Sequence, residues 1–331
     1  MSVWLLTGGA GYIGSHVARA MIEAGDRVVV LDDLSSGHVE RVPDETGFVE
    51  ADVVDEDTVR RVLREHRVTG VIHLAARKAV EESCHDPLLY YRENVSGLLS
   101  VLHAMHLEGV ERLVFSSSAA VYGTHDDPQV DEHSSTAPEN PYGRTKLVGE
   151  WMVEDVVAAY GVTAVSLRYF NVVGCAEPAL ADLHGSNLFP AVVDRIAQGL
   201  SVRVFGGDYP TPDGTCVRDY IHVQDLAEAH VAATRLTASP GSTTTVNVGC
   251  GSGHSVLDVL REFRRASGLP VPYVVEPRRP GDPAAMVADV THAADVLGWK
   301  ARFGLAEMVG SAWEAAVAAG QVAPRRLSAT G

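Results

Sequence analysis

The chain has 331 residues, 46% of them hydrophobic and 21% charged, and a formal net charge of −16. This composition is ordinary for a globular protein, and the length allows a full core and more than one domain. The acidic balance disfavours nucleic acid or an anionic membrane as the main partner, although a local basic pocket for a small anion is compatible with it.

No apolar run reaches the length of a membrane span. The apolar N-terminus, "MSVWLLTGGAGYIG", has no basic region and predicts a strand instead of a signal peptide. The cysteines lie far apart, at Cys84, Cys175, Cys216 and Cys250. Because the cysteines show no metal-ligand spacing, we expect no metal site and reduced thiols in a cytoplasmic protein. The net charge and the lack of a long apolar run predict no membrane partner.

Short apolar runs alternate with helical segments through the first half of the chain. The predicted strands are "VWLLTG", "DRVVVLDD", "GVIHLAA", "ERLVFSSS" and "VTAVSLRYF". Their continuous apolarity suits a parallel sheet that is covered on both faces. Amphipathic segments lie between them, such as "SHVARAMIEAG", which ends at Gly25 as a helix should. The pattern predicts a right-handed, doubly wound α/β domain.

After about residue 174 the pattern changes to shorter elements and loops rich in Pro, Gly and Asp. One strand-like run, "TTVNVG", is predicted to return to the first sheet. We therefore expect a doubly wound parallel sheet of the Rossmann type at 1–174 and 219–249. A smaller mixed α/β domain is expected at 175–218 and 250–331.

The loop "TGGAGYIGSH" follows the first strand and opens the first helix. Gly8 permits the tight turn, Gly11 lets the backbone approach a pyrophosphate, and Gly14 lets helix and strand pack closely. The second strand ends in Asp32 and Asp33, where a carboxylate can accept hydrogen bonds from ribose hydroxyls and repel a 2′-phosphate. The loop therefore predicts NAD as the cofactor in preference to NADP.

The segment "NPYGRTK" places Tyr142 and Lys146 four residues apart, although the chain has only three lysines. Its Asn-Pro pair predicts a turn into a helix, and the spacing puts both side chains on one helix face. Taken alone, the pair is as consistent with a solvated helix face as with a catalytic site.

Six motifs occur in order: "TGGAGYIG", "SSSAAVYG", "PYGRTK", "LRYFNVVG", "VRDYIHVQDLA" and "RRPGD". Together they resemble the UDP-glucose (UDP-galactose) 4-epimerase family of extended short-chain dehydrogenase/reductases, from residue 1 to about residue 315. The resemblance implies retained NAD, a UDP-hexose substrate held by the second domain, and a homodimer. It also implies a catalytic set of Ser118, Tyr142 and Lys146.

In that family chemistry, Tyr142 removes the proton of the sugar 4-hydroxyl while hydride passes from C4 to NAD. Lys146 and the positive nicotinamide ring are expected to stabilise the phenolate, because free tyrosine, with a pKa of about 10, is a poor base at neutral pH. Ser118 is expected to hydrogen-bond the reacting oxygen.

The resemblance implies the following cofactor residues: Gly8, Gly11, Tyr12, Ile13, Gly14, Asp32, Asp33, Leu34, Asp52, Val53, Leu74, Ala75, Ala76, Lys78, Asn94, Tyr142, Lys146 and Phe170. The residues implied for the UDP-sugar are Lys78, Ser118, Tyr142, Asn171, Asn187, Leu188, Arg203, Val204, Phe205, Arg218, Arg279, Asp282 and Met286. Arginine suits the diphosphate because its planar fork can bind two oxygens. Asp52 is equally consistent with a turn residue, Phe170 with a core aromatic and Asn94 with a helix cap.

Related dehydratases and decarboxylases carry acidic residues after the active-site serine, whereas this chain has Ala119 and Ala120. A non-catalytic NAD-binding regulator is the alternative from another class. The preferred substrate is UDP-glucose or UDP-galactose. Because Met286 is intermediate in size, UDP-N-acetylglucosamine is an alternative substrate. UDP-glucuronate is another, because the pair Arg77–Lys78 could supply an extra cation near its C6 carboxylate. The homodimer is expected to use the helices at about 90–107 and 143–160.

Overall fold

The structure is a computed structural model that describes residues 2–182, 187–236, 241–279 and 281–322. Its strands are β1 (Val3–Thr7), β2 (Arg27–Asp32), β3 (Gly47–Glu50), β4 (Gly70–His73), β5 (Arg112–Ser118), β6 (Gln129–Val130), β7 (Thr163–Tyr169), β8 (Asn171–Val173), β9 (Val202–Phe205), β10 (Val217–His222), β11 (Thr243–Val248), β12 (Gly253–Ser255), β13 (Tyr273–Glu276) and β14 (Ala285–Ala288).

Its helices are α1 (Tyr12–Glu23), α2 (Glu56–Glu65), α3 (Val80–His85), α4 (Pro87–Tyr90), α5 (Gly97–Glu108), α6 (Pro141–Tyr160), α7 (Leu188–Gln198), α8 (Val223–Arg235), α9 (Val256–Ser267), α10 (Thr291–Leu297) and α11 (Leu305–Ala318). A π-helical turn at Tyr91–Ser96 joins α4 to α5. Within the described residues, no helix is long and apolar enough to cross a membrane.

The predicted doubly wound sheet is confirmed. Seven parallel strands follow the order β11-β7-β5-β4-β1-β2-β3. The run "TTVNVG" returns to this sheet, because β11 pairs with β7 along its whole length. Every residue of β1 is buried, which explains why that strand shows no polar alternation in the sequence.

Both faces of the sheet are covered by helices. Leu5 faces a core that is closed by residues of α2, α5 and α6, including Val62, Leu98 and Val153. On the other face, Leu6 packs in a core with residues of α1 and α8. This arrangement places the carboxyl ends of β1, β2, β4 and β5 along one edge, where an open α/β sheet binds its ligands.

A second sheet lies beside that edge and crosses the predicted domain boundaries. It has the order β12-β10-β14-β6, and β8 also pairs with β10. Strands β6 and β8 come from the segment 1–174, whereas β12 and β14 come from 250–331. A separate pair, β13-β9, completes the described strands. The division into a cofactor domain and a substrate domain stays a prediction.

Candidate active site

The glycine loop after β1 is shaped by two glycines that the protein itself requires. Gly8 has φ +73°, and a Cβ there would lie 2.7 Å from the Ala75 backbone nitrogen. A Cβ on Gly14 would lie 2.1 Å from the Gly8 carbonyl oxygen. Neither position can carry a side chain without displacing backbone.

Gly11, unlike Gly8 and Gly14, has space for a side chain within the protein, so a glycine here points to a ligand that approaches the backbone. Its φ is −77°, and an added Cβ would meet only the Gly8 carbonyl oxygen, at 3.4 Å. No protein atom therefore demands glycine here. Gly11 is also the N-cap of α1, with no side-chain cap and no acidic residue in the first turn. The open space beside this helix N-terminus fits the pyrophosphate of NAD.

Asp32 is fixed at the end of β2, beside that loop. Its Oδ2 accepts a hydrogen bond from the Ala10 N–H at 2.9 Å, and its Oδ1 accepts one from the Leu34 N–H at 2.9 Å. Leu34 has φ +56°, a rare conformation for a side-chain-bearing residue. Burial raises the pKa of Asp32. Asp33 instead accepts from Ser35, so Asp32 is the carboxylate held next to the cofactor loop.

The loop after β4 contains Leu74, Ala75 and Ala76 and is tied to its neighbours by Asn94. The Asn94 amide donates to the Arg77 carbonyl oxygen at 3.0 Å and to Thr145 Oγ1 at 2.9 Å, and its Oδ1 accepts from the Arg77 N–H. Asn94 lies in the π-helical turn, a feature that is frequent at functional sites.

Two other predicted cofactor residues have local structural roles. The Asp52 Oδ1 accepts from the Val54 N–H at 2.9 Å, as a turn residue at a strand end does. Val53 is buried in the core against α2 and α5.

Ser118 and Tyr142 meet where β5 ends and α6 begins. Ser118 is the last residue of β5. Asn140 caps α6 by accepting from the Gly143 N–H at 2.9 Å, and Pro141 starts the helix. This start aims Tyr142 at β5, where Tyr142 and Ser118 line the same cleft and the Ser118 side chain lowers the pKa of the phenol against burial. The predicted serine–tyrosine pair is thus brought together.

Lys146 lies one turn further along α6 and is buried. Its Nζ donates to the Ser116 carbonyl oxygen at 2.7 Å. Burial lowers the pKa of Lys146 to about 8, and the charge of Glu150 opposes that shift. Burial raises the pKa of Tyr142, and the Ser118 hydrogen bond opposes it.

Lys146 is not among the groups that shift the pKa of Tyr142 in the structure, and the expectation that Lys146 and the nicotinamide ring together stabilise the phenolate stays a prediction. The ammonium points to a β5 carbonyl instead of to the phenol, so desolvation dominates at Tyr142. An additional positive charge beside the phenol would oppose this effect of burial.

A cleft opens above this pair, between the edge of the first sheet and the second sheet. It encloses about 1270 Å³ of space that includes open solvent. The predicted site residues that line it are Tyr12, Ile13, Lys78, Ser118, Tyr142, Phe170, Asn171, Asn187, Leu188, Arg218, Asp282 and Met286. One cleft thus joins the first residues of α1, the serine–tyrosine pair and most residues predicted for the UDP-sugar.

Arg218 is the guanidinium in that lining. It is held by the carbonyl oxygens of Val217 and Pro283, at 2.9 and 2.8 Å, and its Nη2 lies 3.4 Å from Asp282 Oδ1. Asn187 is the N-cap of α7, but its side chain makes no capping hydrogen bond. Its amide is therefore free to face the cleft.

The remaining predicted substrate residues, on and near β9, do not line the cleft. The Val204 side chain is fully buried, so only its backbone could meet a ligand. Phe205 lies between two guanidinium groups, with the Cζ of Arg279 at 3.9 Å and that of Arg203 at 5.4 Å from its ring centroid.

Several residues that the sequence motifs did not single out also belong to the site. Glu139, Val80 and Tyr220 line the cleft. Glu150, one turn beyond Lys146 on α6, forms a buried ion pair with Arg168 of β7. A charged residue inside the apolar strand "VTAVSLRYF" was the only available signal for that pair.

Comparison with known proteins adds independent support. The chain matches the model of the NAD dependent epimerase/dehydratase family over residues 4–249. It is 45% identical to a UDP-glucose 4-epimerase of Streptomyces lividans over 317 residues, which cover 94% of this chain and 95% of that protein. It is 44% identical to a UDP-glucose 4-epimerase of Azospirillum brasilense over 300 residues, with 89% and 86% covered.

Solved structures agree with this. UDP-glucose-4-epimerase from Stenotrophomonas maltophila, crystallised with bound NAD and formylated UDP-arabinopyranose, matches with a TM-score of 0.92 at 43% identity, covering 97% of this chain and 99% of that one. UDP-glucose 4-epimerase from Bifidobacterium longum, in complex with NAD+ and UDP, matches with a TM-score of 0.90 at 38% identity and the same coverage.

Proposed function

Because the chain belongs to the NAD dependent epimerase/dehydratase family, we propose that it interconverts UDP-glucose and UDP-galactose by NAD-dependent epimerisation at C4. The observation that carries the proposal is the pairing of Ser118 with Tyr142 in a cleft that also reaches Tyr12 and Ile13, at the start of the helix that follows the glycine loop. The next two residues, Ala119 and Ala120, cannot exchange protons, so the cleft lacks the acid–base groups of a dehydratase at that position.

The proposed cofactor is NAD, held by the backbone around Gly11 and by the Asp32 carboxylate. When bound, it accepts hydride from C4 and returns it. Its positive nicotinamide ring would add positive charge near Tyr142, whereas the Lys146 amine donates to the Ser116 carbonyl oxygen.

The residues of the chain then have separate tasks. Tyr142 takes the proton from the 4-hydroxyl and returns it to the 4-keto oxygen. Ser118 donates a hydrogen bond to the same oxygen and steadies its charge. Lys146 supplies a buried positive charge on the same helix face.

Epimerisation also requires that the sugar turn over while the nucleotide stays bound. Arg218 is immobilised by two carbonyl oxygens and by Asp282, which suits a firm grip on a diphosphate. By contrast, the hexose end is lined by Lys78, Val80 and Met286. Methionine is flexible and adaptable, so this end can accept both sugar orientations.

The position of Arg77 favours a neutral hexose over UDP-glucuronate. Arg77 is not among the described cleft residues, and its guanidinium acts on Glu93 and Tyr90, on the side of the π-helical turn. Lys78 alone of that pair reaches the cleft. A buried sugar carboxylate without enough partners would cost several kcal/mol.

Two assays test the activity and the sugar. Interconversion of UDP-glucose and UDP-galactose should occur without added reductant, whereas a non-catalytic NAD-binding regulator would show none. In a panel with UDP-N-acetylglucosamine, UDP-glucuronate and UDP-xylose, UDP-glucose should be preferred, and Arg77→Leu should affect all substrates about equally. If the wild type preferred UDP-glucuronate and Arg77→Leu lost only that preference, UDP-glucuronate would be the substrate and not a neutral UDP-hexose.

We also propose a homodimer formed through α5 and α6, with neighbouring residues of α4. Large apolar side chains on these elements are exposed in the single chain, at Leu88 (78%), Leu99 (57%), Trp151 (54%) and Tyr160 (52%). Burial of such a surface is typical of a subunit interface. Light scattering should give twice the 35.3 kDa chain mass, and a monomer mass at micromolar concentration would rule the dimer out.

The proposed location is the cytoplasm. The four cysteines are all free thiols, which suits a reducing compartment.

A further inference from the structure

A third ionisable residue, Glu150, follows Lys146 on the buried side of α6. Tyr142, Lys146 and Glu150 are spaced four residues apart, so they share one helix face. The Glu150 side chain is 3% exposed, and it does not belong to the described lining of the cleft. Glu150 therefore has no contact with a ligand in the cleft, and the mechanism above gives it no task.

The Glu150 carboxylate forms a buried ion pair with Arg168 of β7. Arg168 Nε donates to Oε1 at 2.9 Å, and Nη2 donates to Oε2 at 2.7 Å. The other edge of the guanidinium donates to the Tyr122 hydroxyl at 3.0 Å. Because the desolvation of two charges offsets their attraction, apolar replacements of such a pair are often neutral for stability. Stability alone therefore does not account for it.

The same carboxylate also holds strand β5. Glu150 Oε1 accepts a hydrogen bond from Ser117 Oγ at 2.5 Å. Ser117 lies between Ser116, whose carbonyl oxygen binds Lys146, and Ser118. Lys146 and Glu150, one turn apart on α6, thus hydrogen-bond to Ser116 and Ser117. These are the two residues of β5 directly before Ser118.

We propose that Glu150 is a positioning residue for the epimerisation. Through Ser117 and Arg168 it fixes α6 against β5 and β7, and it thereby holds Lys146 and Ser118 in place beside Tyr142. This inference rests on the proposed function.

The charges around Lys146 show what else depends on Glu150. His73 of β4 is kept neutral, because burial lowers its pKa to about 3. From β7, Arg168 pairs with Glu150, whereas Tyr169 lies on the side of Tyr142, and burial raises the pKa of Tyr169. Glu150 is the group that raises the pKa of Lys146 against burial. Without it, Lys146 should lose its proton at lower pH.

The test is the double variant Glu150→Gln/Arg168→Met, which removes both charges and leaves no unpaired guanidinium. kcat for UDP-galactose should fall about 10- to 100-fold, the scale of a misplaced catalytic group, while KM changes little. The alkaline limb of the kcat profile should move to lower pH. Glu154→Gln, which removes an exposed carboxylate from the same helix, is the matched control and should leave both unchanged.

Two further variants test the proposal if the double variant does not fold. Ser117→Ala removes only the hydroxyl, so kcat should fall about 3- to 10-fold, as for one lost hydrogen bond, without moving the alkaline limb. Glu150→Asp keeps the charge and should retain the position of that limb. A kcat within about twofold of wild type and an unchanged pH profile in these variants would overturn the proposal.

A second readout needs no turnover. The tyrosinate absorbance of Tyr142, isolated by subtracting the titration of Tyr142→Phe made in the same background, should appear at higher pH without Glu150 and Arg168, because a displaced Ser118 no longer lowers the pKa of Tyr142. A wild type that fails to interconvert UDP-sugars would refute the proposed function. An unchanged Tyr142 titration would refute the positioning role separately.

Discussion

Gly11 and Gly14 offer a matched pair of substitutions that separates cofactor binding from folding. In Gly14→Ala, the new methyl would lie 2.1 Å from the Gly8 carbonyl oxygen and 2.6 Å from the Gly9 Cα. Both are backbone atoms that cannot rotate away. Overpacking costs about 1–3 kcal/mol where side chains can adjust, so we expect a loss of stability at or above the upper end of that range.

In Gly11→Ala, the nearest protein atom is the Gly8 carbonyl oxygen at 3.4 Å, and φ is −77°. The backbone already suits alanine, so the loss of a glycine N-cap should cost at most about 1 kcal/mol. The methyl would instead separate the backbone from the pyrophosphate. Hydrogen bonds to charged groups contribute about 1.5–3 kcal/mol, so the affinity for NAD should fall roughly 10- to 150-fold.

The assays are thermal unfolding of protein freed of NAD and calorimetric titration with NAD. Gly11→Ala should unfold close to wild type and bind NAD weakly, whereas Gly14→Ala should unfold at a much lower temperature. If Gly11→Ala bound NAD as tightly as wild type, the pyrophosphate would not approach Gly11, and our interpretation of the loop would be wrong.

Three other predictions concern single groups. Tyr142→Phe should lower kcat by at least ~10²-fold with little change in UDP-sugar affinity, and a near-normal kcat would assign the base to another residue. NAD, not NADP, should be released when the purified protein is denatured, because Asp32 repels a 2′-phosphate; mainly NADP in the extract would refute this. Burial lowers the pKa of Lys146 from 10.5 to about 8, so between these values the unfolded chain binds a proton that the folded chain lacks. The stability of NAD-free wild type relative to Lys146→Met should therefore rise across this interval in denaturant titrations, and a flat or falling difference would contradict the shift.

The sequence predicted the first sheet well because its signals are local. Continuous apolar runs predicted β1, β2, β4, β5 and β7, and even the late strand β11 was recognisable from "TTVNVG". The glycine loop and the start of α6 were equally readable, since turns and caps depend on a few adjacent residues.

The contacts that the sequence could not show are long-range. The two-residue strand β6 exists only because it pairs with β14, and such a short run carries no periodicity. The direction of the Lys146 amine and the pairing of Glu150 with Arg168 depend on how helix and strands pack. Tertiary packing also decides that Lys78 lines the cleft and Arg77 does not.

The pairing of β6 with β14 has a consequence for how the protein is made. Residues 129–130 leave the ribosome early, but their partner at 285–288 follows only after most of the chain. At ordinary synthesis rates that delay is on the order of ten to thirty seconds. The nucleotide-binding half can collapse in the meantime, yet β6, which precedes the helix that carries Tyr142, still lacks its partner β14. We therefore expect ribosome-bound chains that stop short of residue 285 to be inactive, so that nascent protein becomes catalytic only near the end of its translation.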